Sequence, residues 1–275
     1  MGGGRQIFGR VQGRRGALPG AVFAACLALS GAPNEAKAGE SSAGQGWAGQ
    51  GFALVGIGAG LGGLIGGDDD GLHGFVGVIY APGHSLSDTG VILRGWAKGL
   101  DFTYDADLPG APDTRIRALG YGFQVEGGWQ FAGPQGRVAL LPGVAWRDHE
   151  LTPSDPGSRL EGERFGISLT ADGEWRFGER FGVMANATYL TGFDDYWVQS
   201  RPFVDVGSGW KLGLDFAGWG GPDYARMRAG VFTSGYELPF RVFGRTFLGA
   251  SAGVQSDVDG KHMAPFAGIN IGVLF

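Results

Sequence analysis

The stretch 164–177, RFGISLTADGEWRF, decides the fold. Phe165, Ile167, Leu169, Ala171, Gly173, Trp175 and Phe177 fall on one face of a two-residue period. Arg164, Ser168, Thr170, Asp172, Glu174 and Arg176 fall on the other. Successive side chains of a strand point to opposite faces, so this is a strand with one apolar and one strongly polar face. Strands of a soluble sandwich run about five or six residues. A run this long suits a tilted strand that crosses a bilayer.

The same period recurs outward from this stretch. Leu119, Tyr121, Phe123, Val125, Trp129 and Phe131 alternate with Gly120, Gly122, Gln124, Glu126 and Gln130. Trp210, Leu212, Leu214 and Phe216 alternate with Lys211, Gly213 and Asp215. Many apolar rows begin or end in aromatics, as interfacial girdles do. Counting back from the C-terminus predicts strands near 263–275, 243–255, 224–236, 209–219, 196–206, 181–191, 162–177, 136–149, 115–131, 91–104 and 72–81. Single-chain bacterial barrels have even strand counts. The stretch GFALVGIGAGL, 51–61, supplies the twelfth. The sequence therefore predicts an all-β fold, a transmembrane antiparallel β-barrel of about 12 strands over 51–275. The last strand carries Ile269, Ile271, Val273 and Phe275 on its apolar row, and closure in lipid requires it to pair with the first. With both termini in the periplasm, the turns near Gly133, Gly178 and Gly207 lie inside and 105–114 and 151–162 form outer loops. The connection 83–90 is long for a periplasmic turn. Pro142 and Pro202 fall within strands, where bulges are expected.

Composition agrees with this reading. Gly accounts for 56 of 275 residues, about three times ordinary usage, and charged residues for only 18%. The N-terminus reads as an export signal, residues 1–38. Arg5, Arg10, Arg14 and Arg15 precede an apolar core, Ala17 to Leu29, and Ala36-Lys37-Ala38 forms an A-x-A cleavage site. Residues 39–50 follow as a flexible lead-in. Removing 1–38 takes away five basic residues, one acidic residue and the only cysteine, Cys26, and moves the formal charge from −5 to −9. An acidic, exported chain is a poor nucleic-acid binder. Outer-membrane lipid is its expected partner, and without a thiol the mature chain has no disulfide.

Short motifs give no chemistry of their own. GAGLGG fits the dinucleotide pattern at Gly58, Gly60 and Gly63, but no helix follows it. The carboxylates of DDDG, 68–71, lack the remainder of a calcium loop. Asp148-His149 at a strand end, with Ser154 and Ser158 nearby, could be tested as a hydrolase rim, yet no serine motif supports it. No catalytic, cofactor-binding or metal residue is assigned, no cofactor is expected, and the chain is not read as an enzyme. The lumen row is richer. Glu126, Arg164, Asp172, Glu174, Arg176, Lys211, Asp215, Arg226 and Arg228 mix signs, which predicts ion pairs and a lumen filled by side chains rather than a single-sign selective pore.

Three segments carry a resemblance: GVAWRDHELTPSDPGSRLEGERFG, GFDDYW and GPDYARMRAGVFTSGYEL. Through Asp148, His149, Leu151, Pro153 and Asp155, then Tyr196 and Trp197, then Tyr224, Arg228 and Gly230, residues 72–275 resemble the BcsS-type cellulose biosynthesis proteins of alphaproteobacteria. The resemblance implies a non-enzymatic outer-membrane barrel that assists cellulose synthesis and secretion. It also implies cellulose or other secretion components as partners, and it transfers no catalytic residues. A general porin and an outer-membrane hydrolase are the rival readings.

Overall fold

A computed structural model of the protein describes residues 49–61, 70–222, 224–239, 244–257 and 263–275. The export signal and most of the lead-in lie outside the described residues. Among those described, the chain forms β1 (Gly49–Leu61), β2 (Asp70–Pro82), β3 (Gly90–Leu108), β4 (Ala111–Gly133), β5 (Gly136–Thr152), β6 (Gly162–Phe177), β7 (Phe181–Leu190), β8 (Asp195–Gly207), β9 (Trp210–Gly220), β10 (Ala225–Glu237), β11 (Arg245–Asp257) and β12 (Met263–Leu274). Each strand pairs antiparallel with its sequence neighbours, and β1 pairs with β12 to close the barrel. At the seam the Gly51 N–H donates to the Phe275 carbonyl and the Phe275 N–H to the Gly51 carbonyl, both at 2.9 Å. The ladder continues from Phe52↔Leu274 to Gly60↔Phe266.

The apolar rows face outward. Leu119, Tyr121, Phe123, Val125, Trp129 and Phe131 are all exposed on β4, and Val125 reaches 61%. In water such a surface would be a vast apolar patch; in a bilayer it is the solvent-matched face. Its limits can be read along β4, where Arg115 and Arg117 precede Leu119 on the same face. One girdle packs Tyr121, Phe123 and Phe165 around Trp146, with ring centroids 5.5 to 6.4 Å apart. Its polar edges reach upward: Tyr121 Oη donates to Asp148 and Trp146 Nε1 to Glu163. The other girdle, nearer the termini, includes Trp129, Trp175, Phe177, Phe181, Trp210 and Phe275.

The abundance of glycine has a packing reason. On the inner face, aromatic rings lie across glycines directly opposite on the neighbouring strand: Phe75 over Gly56, His73 over Gly58, Trp96 over Gly77, His149 over Gly120 and Phe203 over Gly182. A Cβ at any of these glycines would collide with the ring. A large ring beside a missing side chain fills a narrow lumen without overpacking it.

Two expectations fail. Residues 105–114 are not a loop, because β3 and β4 stay paired up to Leu108↔Ala111. The turn is Pro109-Gly110, with Gly110 at φ 82°. The extension holds because Phe102, Tyr104, Ala106 and Leu108 pack on buried Ile116, Ala118 and Leu151, a small core of its own beyond the membrane. Pro142 and Pro202 also make no bulge. The ladder skips two pairs beside each, between Glu126↔Gly143 and Trp129↔Leu140 and between Ser200↔Phe216 and Phe203↔Gly213, with register kept. A missing donor removes a ladder bond but does not demand an extra residue. Register shifts occur elsewhere, at Ala106/Leu108, Asp205/Gly207 and Thr233/Tyr236.

Closure at the seam gives a direct test. Deleting Gly272–Phe275 removes the Gly51–Phe275 bond pair and part of the β1 and β11 ladders, leaving unpaired groups that cost several kcal/mol each in hydrocarbon. The truncated chain is expected to show no heat-modifiable band in membrane fractions, whereas Phe275→Ala should lower yield and leave the folded form unchanged.

Candidate functional site

The lumen is the candidate site, and it is layered along the barrel axis. At the end that carries both described termini, the connection 83–89 folds into the mouth instead of looping away from it. Leu86 is 3% exposed and packs among Phe52, Ala81, Ile92, Ala139, Leu141 and Phe247. These residues come from β1, β2, β3, β5 and β11, so the cluster reaches across the mouth. A second cluster, Met184, Ala185, Phe203 and Phe232, covers the β7–β10 side. The polar backbone of this strap is satisfied by lumen side chains. Gln130 Nε2 donates to the carbonyls of Leu86 (2.8 Å) and Asp88 (2.9 Å), and Arg137 donates to the Leu86 carbonyl (3.0 Å). Gln50 Oε1 accepts from the Leu86 N–H and from Ser85 Oγ, each at 2.9 Å. Above Leu86 remains a cavity of about 20 Å³ between Ile92, Arg94 and Asp172, room for about one water.

Charge occupies the middle layer. Arg94 donates from Nε to Glu126 (2.6 Å) and from Nη1 to Asp172 (2.5 Å). Glu126 also accepts from Thr170 Oγ1 (2.5 Å) and Gln124 Nε2 (2.8 Å). Lys211 Nζ donates to Glu174 at 2.7 Å, and Arg176 binds Asp205 at 3.1 Å. Asp215 accepts from Gln199 (2.7 Å), Arg201 (3.2 Å) and Arg228 (3.0 Å). The expected ion pairs are therefore present, and Glu126, Asp172, Glu174, Arg176, Lys211, Asp215 and Arg228 all belong to them. Arg164 and Arg226 lie on the same inward rows. The sequence reading missed Arg94, the hub of the first cluster. Its strand begins GVILRGW, apolar on both rows, and the alternation signal is lost there.

Toward the far end the inward side chains divide: His149 and Leu151 are buried, as are Leu190 and Phe193 on the β7–β8 side, while others reach water. Lys98 and His73 are exposed, and Trp96, Trp197 and Trp219 are half-buried. Trp197 and Trp219 are opposite each other on β8 and β9, with ring centroids 5.4 Å apart. The Arg228 guanidinium sits 5.3 Å over the Trp197 ring and 4.9 Å over Phe266.

The remaining sequence candidates separate. His149 points inward and is buried, whereas Asp148 points outward to Tyr121. Ser154 Oγ donates to Glu161, and Ser158 Oγ accepts from the Leu160 N–H. The Asp148, His149, Ser154 and Ser158 set therefore does not converge. Gly58 and Gly60 lie within β1, and Gly63 lies outside the described residues. Asp68 and Asp69 lie outside the described residues. Among the described residues no group of three or more His, Cys, Asp or Glu could hold a metal.

Comparison with known proteins bears on this barrel. The family described as "Cellulose biosynthesis protein BcsS" matches residues 65–275. No curated protein sequence matches. An outer membrane channel from Pseudomonas putida F1 shares the fold at 13% identity and a TM-score of 0.51, over 86% of this chain and 100% of that one. The transport unit of the autotransporter AIDA-I from Escherichia coli aligns at 10% identity and a TM-score of 0.43, over 83% of this chain and 91% of that one.

Three variants probe this arrangement. Arg94→Ala strands two carboxylates whose side chains are 0% and 1% exposed, so destabilisation of about 3–5 kcal/mol is expected in refolding titrations. Arg117→Ala breaks an exposed pair with Asp101 and should cost no more than about 1 kcal/mol. Leu86→Asp places a charge in the apolar cluster and should expel the strap. In planar bilayers the unmodified barrel is expected to be silent and the variant to conduct.

Proposed function

The chain belongs to the BcsS family of cellulose biosynthesis proteins, and from that premise we propose that it acts as a non-enzymatic accessory in the outer membrane. It is exported by cleavage after Ala38, and its termini face the periplasm. The observation that carries this reading is the combination of a lipid-matched exterior with an inner mouth filled by the 83–89 strap. A bilayer needs a closed, outwardly apolar barrel, and this chain forms one. A general porin needs a continuous aqueous path, which Leu86 and its neighbours interrupt. A hydrolase needs a nucleophile within reach of a base, and His149 lies apart from Ser154 and Ser158 in its contacts. With the periplasmic mouth filled, the polymer itself does not pass through this lumen. The protein works from the outer surface, on cellulose or on components of the secretion machinery gathered there.

The test is genetic and chemical together. In a cellulose-producing strain that carries this gene, deleting it should lower the cellulase-released glucose of the secreted fraction, and the full chain supplied in trans should restore it. Undiminished cellulose in the deletion strain would remove the role.

A further inference from the structure

The far half of the lumen holds three inward tryptophans that the girdles do not explain. Trp129, Trp146, Trp175 and Trp210 face outward at the membrane boundaries, where an amphipathic ring belongs. Trp96, Trp197 and Trp219 instead face a solvent-accessible vestibule. Apolar rings left half-exposed to water inside a lumen are costly unless something covers them. Planar polar groups lie on the Trp197 side of the Trp197–Trp219 pair. Arg228 lies over Trp197, and Gln199 and Arg228 both donate to Asp215. The vestibule is blind, because the strap and the charged layer fill the lumen below it. A ligand enters and leaves on the outer side only.

Aromatic carbon beside amide and guanidinium groups, held in place by the buried Asp215, has a definite chemical complement. A pyranose in a β-linked glucan carries its C–H bonds on two flat faces and its hydroxyls around the equator. The faces match the indole rings, and the equatorial hydroxyls match amide and guanidinium groups beside them. The geometry points to a saccharide-binding site in the outward vestibule, centred on Trp197 and Trp219 with the Arg228 guanidinium beside them, that takes a short segment of a neutral β-linked glucan. This assignment rests on the cellulose role proposed above and names the ligand for it. The basic side chains at this level, Lys98 and Arg228 among them, do not oppose a neutral ligand, since guanidinium and ammonium groups donate to hydroxyls as well as to anions.

The experiment uses the full chain, folded in detergent micelles and checked by heat-modifiable migration, with cellohexaose as the probe. Titration calorimetry should show saturable binding to one site, and cellohexaose should shield part of the indole fluorescence from acrylamide. Trp197→Ala and Trp219→Ala should each weaken binding at least tenfold. Trp210→Ala, in the lipid-facing girdle, should bind as the unmodified protein does. If either inner variant fails to fold, the shielding measured on the unmodified protein still decides the question. No saturable heat and no shielding, or equal weakening in Trp210→Ala, would overturn the site. If deletion of the gene lowers cellulose but the folded barrel ignores cellohexaose, the role stands and the site falls. If the barrel binds cellohexaose yet deletion leaves cellulose unchanged, the site stands and the role falls.

Discussion

Closure of the backbone ladder governs this molecule. In hydrocarbon an unpaired N–H or carbonyl has no water to turn to, so a sheet must meet itself. Here the meeting is made by β1 and β12, from the Gly51–Phe275 bond pair to Gly60↔Phe266. The matched family segment begins at residue 65, so β1 comes from sequence ahead of it. Eleven strands without β1 would leave two open edges in lipid. The aromatic last residue follows from the same requirement. Phe275 lies across Gly51 at the seam and sits at the girdle depth where rings are favoured.

Once the ring is closed, its interior must be filled by the inward half of each strand. The chain solves this differently at three depths. Near the termini apolar residues and the strap make a dry cluster, where Leu86 gains by leaving water. In the middle, buried charges are tolerated because they are paired with opposite charge and the hubs are bonded more than once. Arg94 has two carboxylates and Asp215 has three donors. At the far end the filling is partial: Phe193 and His149 are buried while Lys98 and His73 are exposed. Glycine beneath the rings sets the fit throughout. Phe75, Trp96 and Phe203 occupy width that two ordinary side chains would contest.

Twelve strands were legible in the sequence because one side of each faces lipid and the other faces a polar lumen, so alternation is strong wherever both pressures act. That signal is clean in β4, β6 and β9. It weakens in β3, where Ile92 faces the dry cluster and is as apolar as the lipid-facing Val91 and Leu93. Arg94 was hidden for that reason, and so was the strap, whose seven residues 83–89 show no period. The β3–β4 extension resembles a loop in sequence because Asp, Pro and Gly crowd 105–114. Its inward Phe102, Tyr104, Ala106 and Leu108 nevertheless keep the two-residue period and carry the strands past the membrane. The mixed-sign lumen followed directly from the polar rows. Which charges meet did not, since neighbours around a tilted barrel depend on register and not on order in the chain.

The strap has one further mechanical property. It is joined to β2 at Pro82 and to β3 at Gly90, both of them anchored in the ladder. A plug formed by a free terminus can be withdrawn from a barrel and lost. A doubly tethered segment of seven residues can only swing within its own reach, and its polar backbone must find new partners at each position. Any displacement from the mouth is therefore short in range, bounded by the two flanking strands.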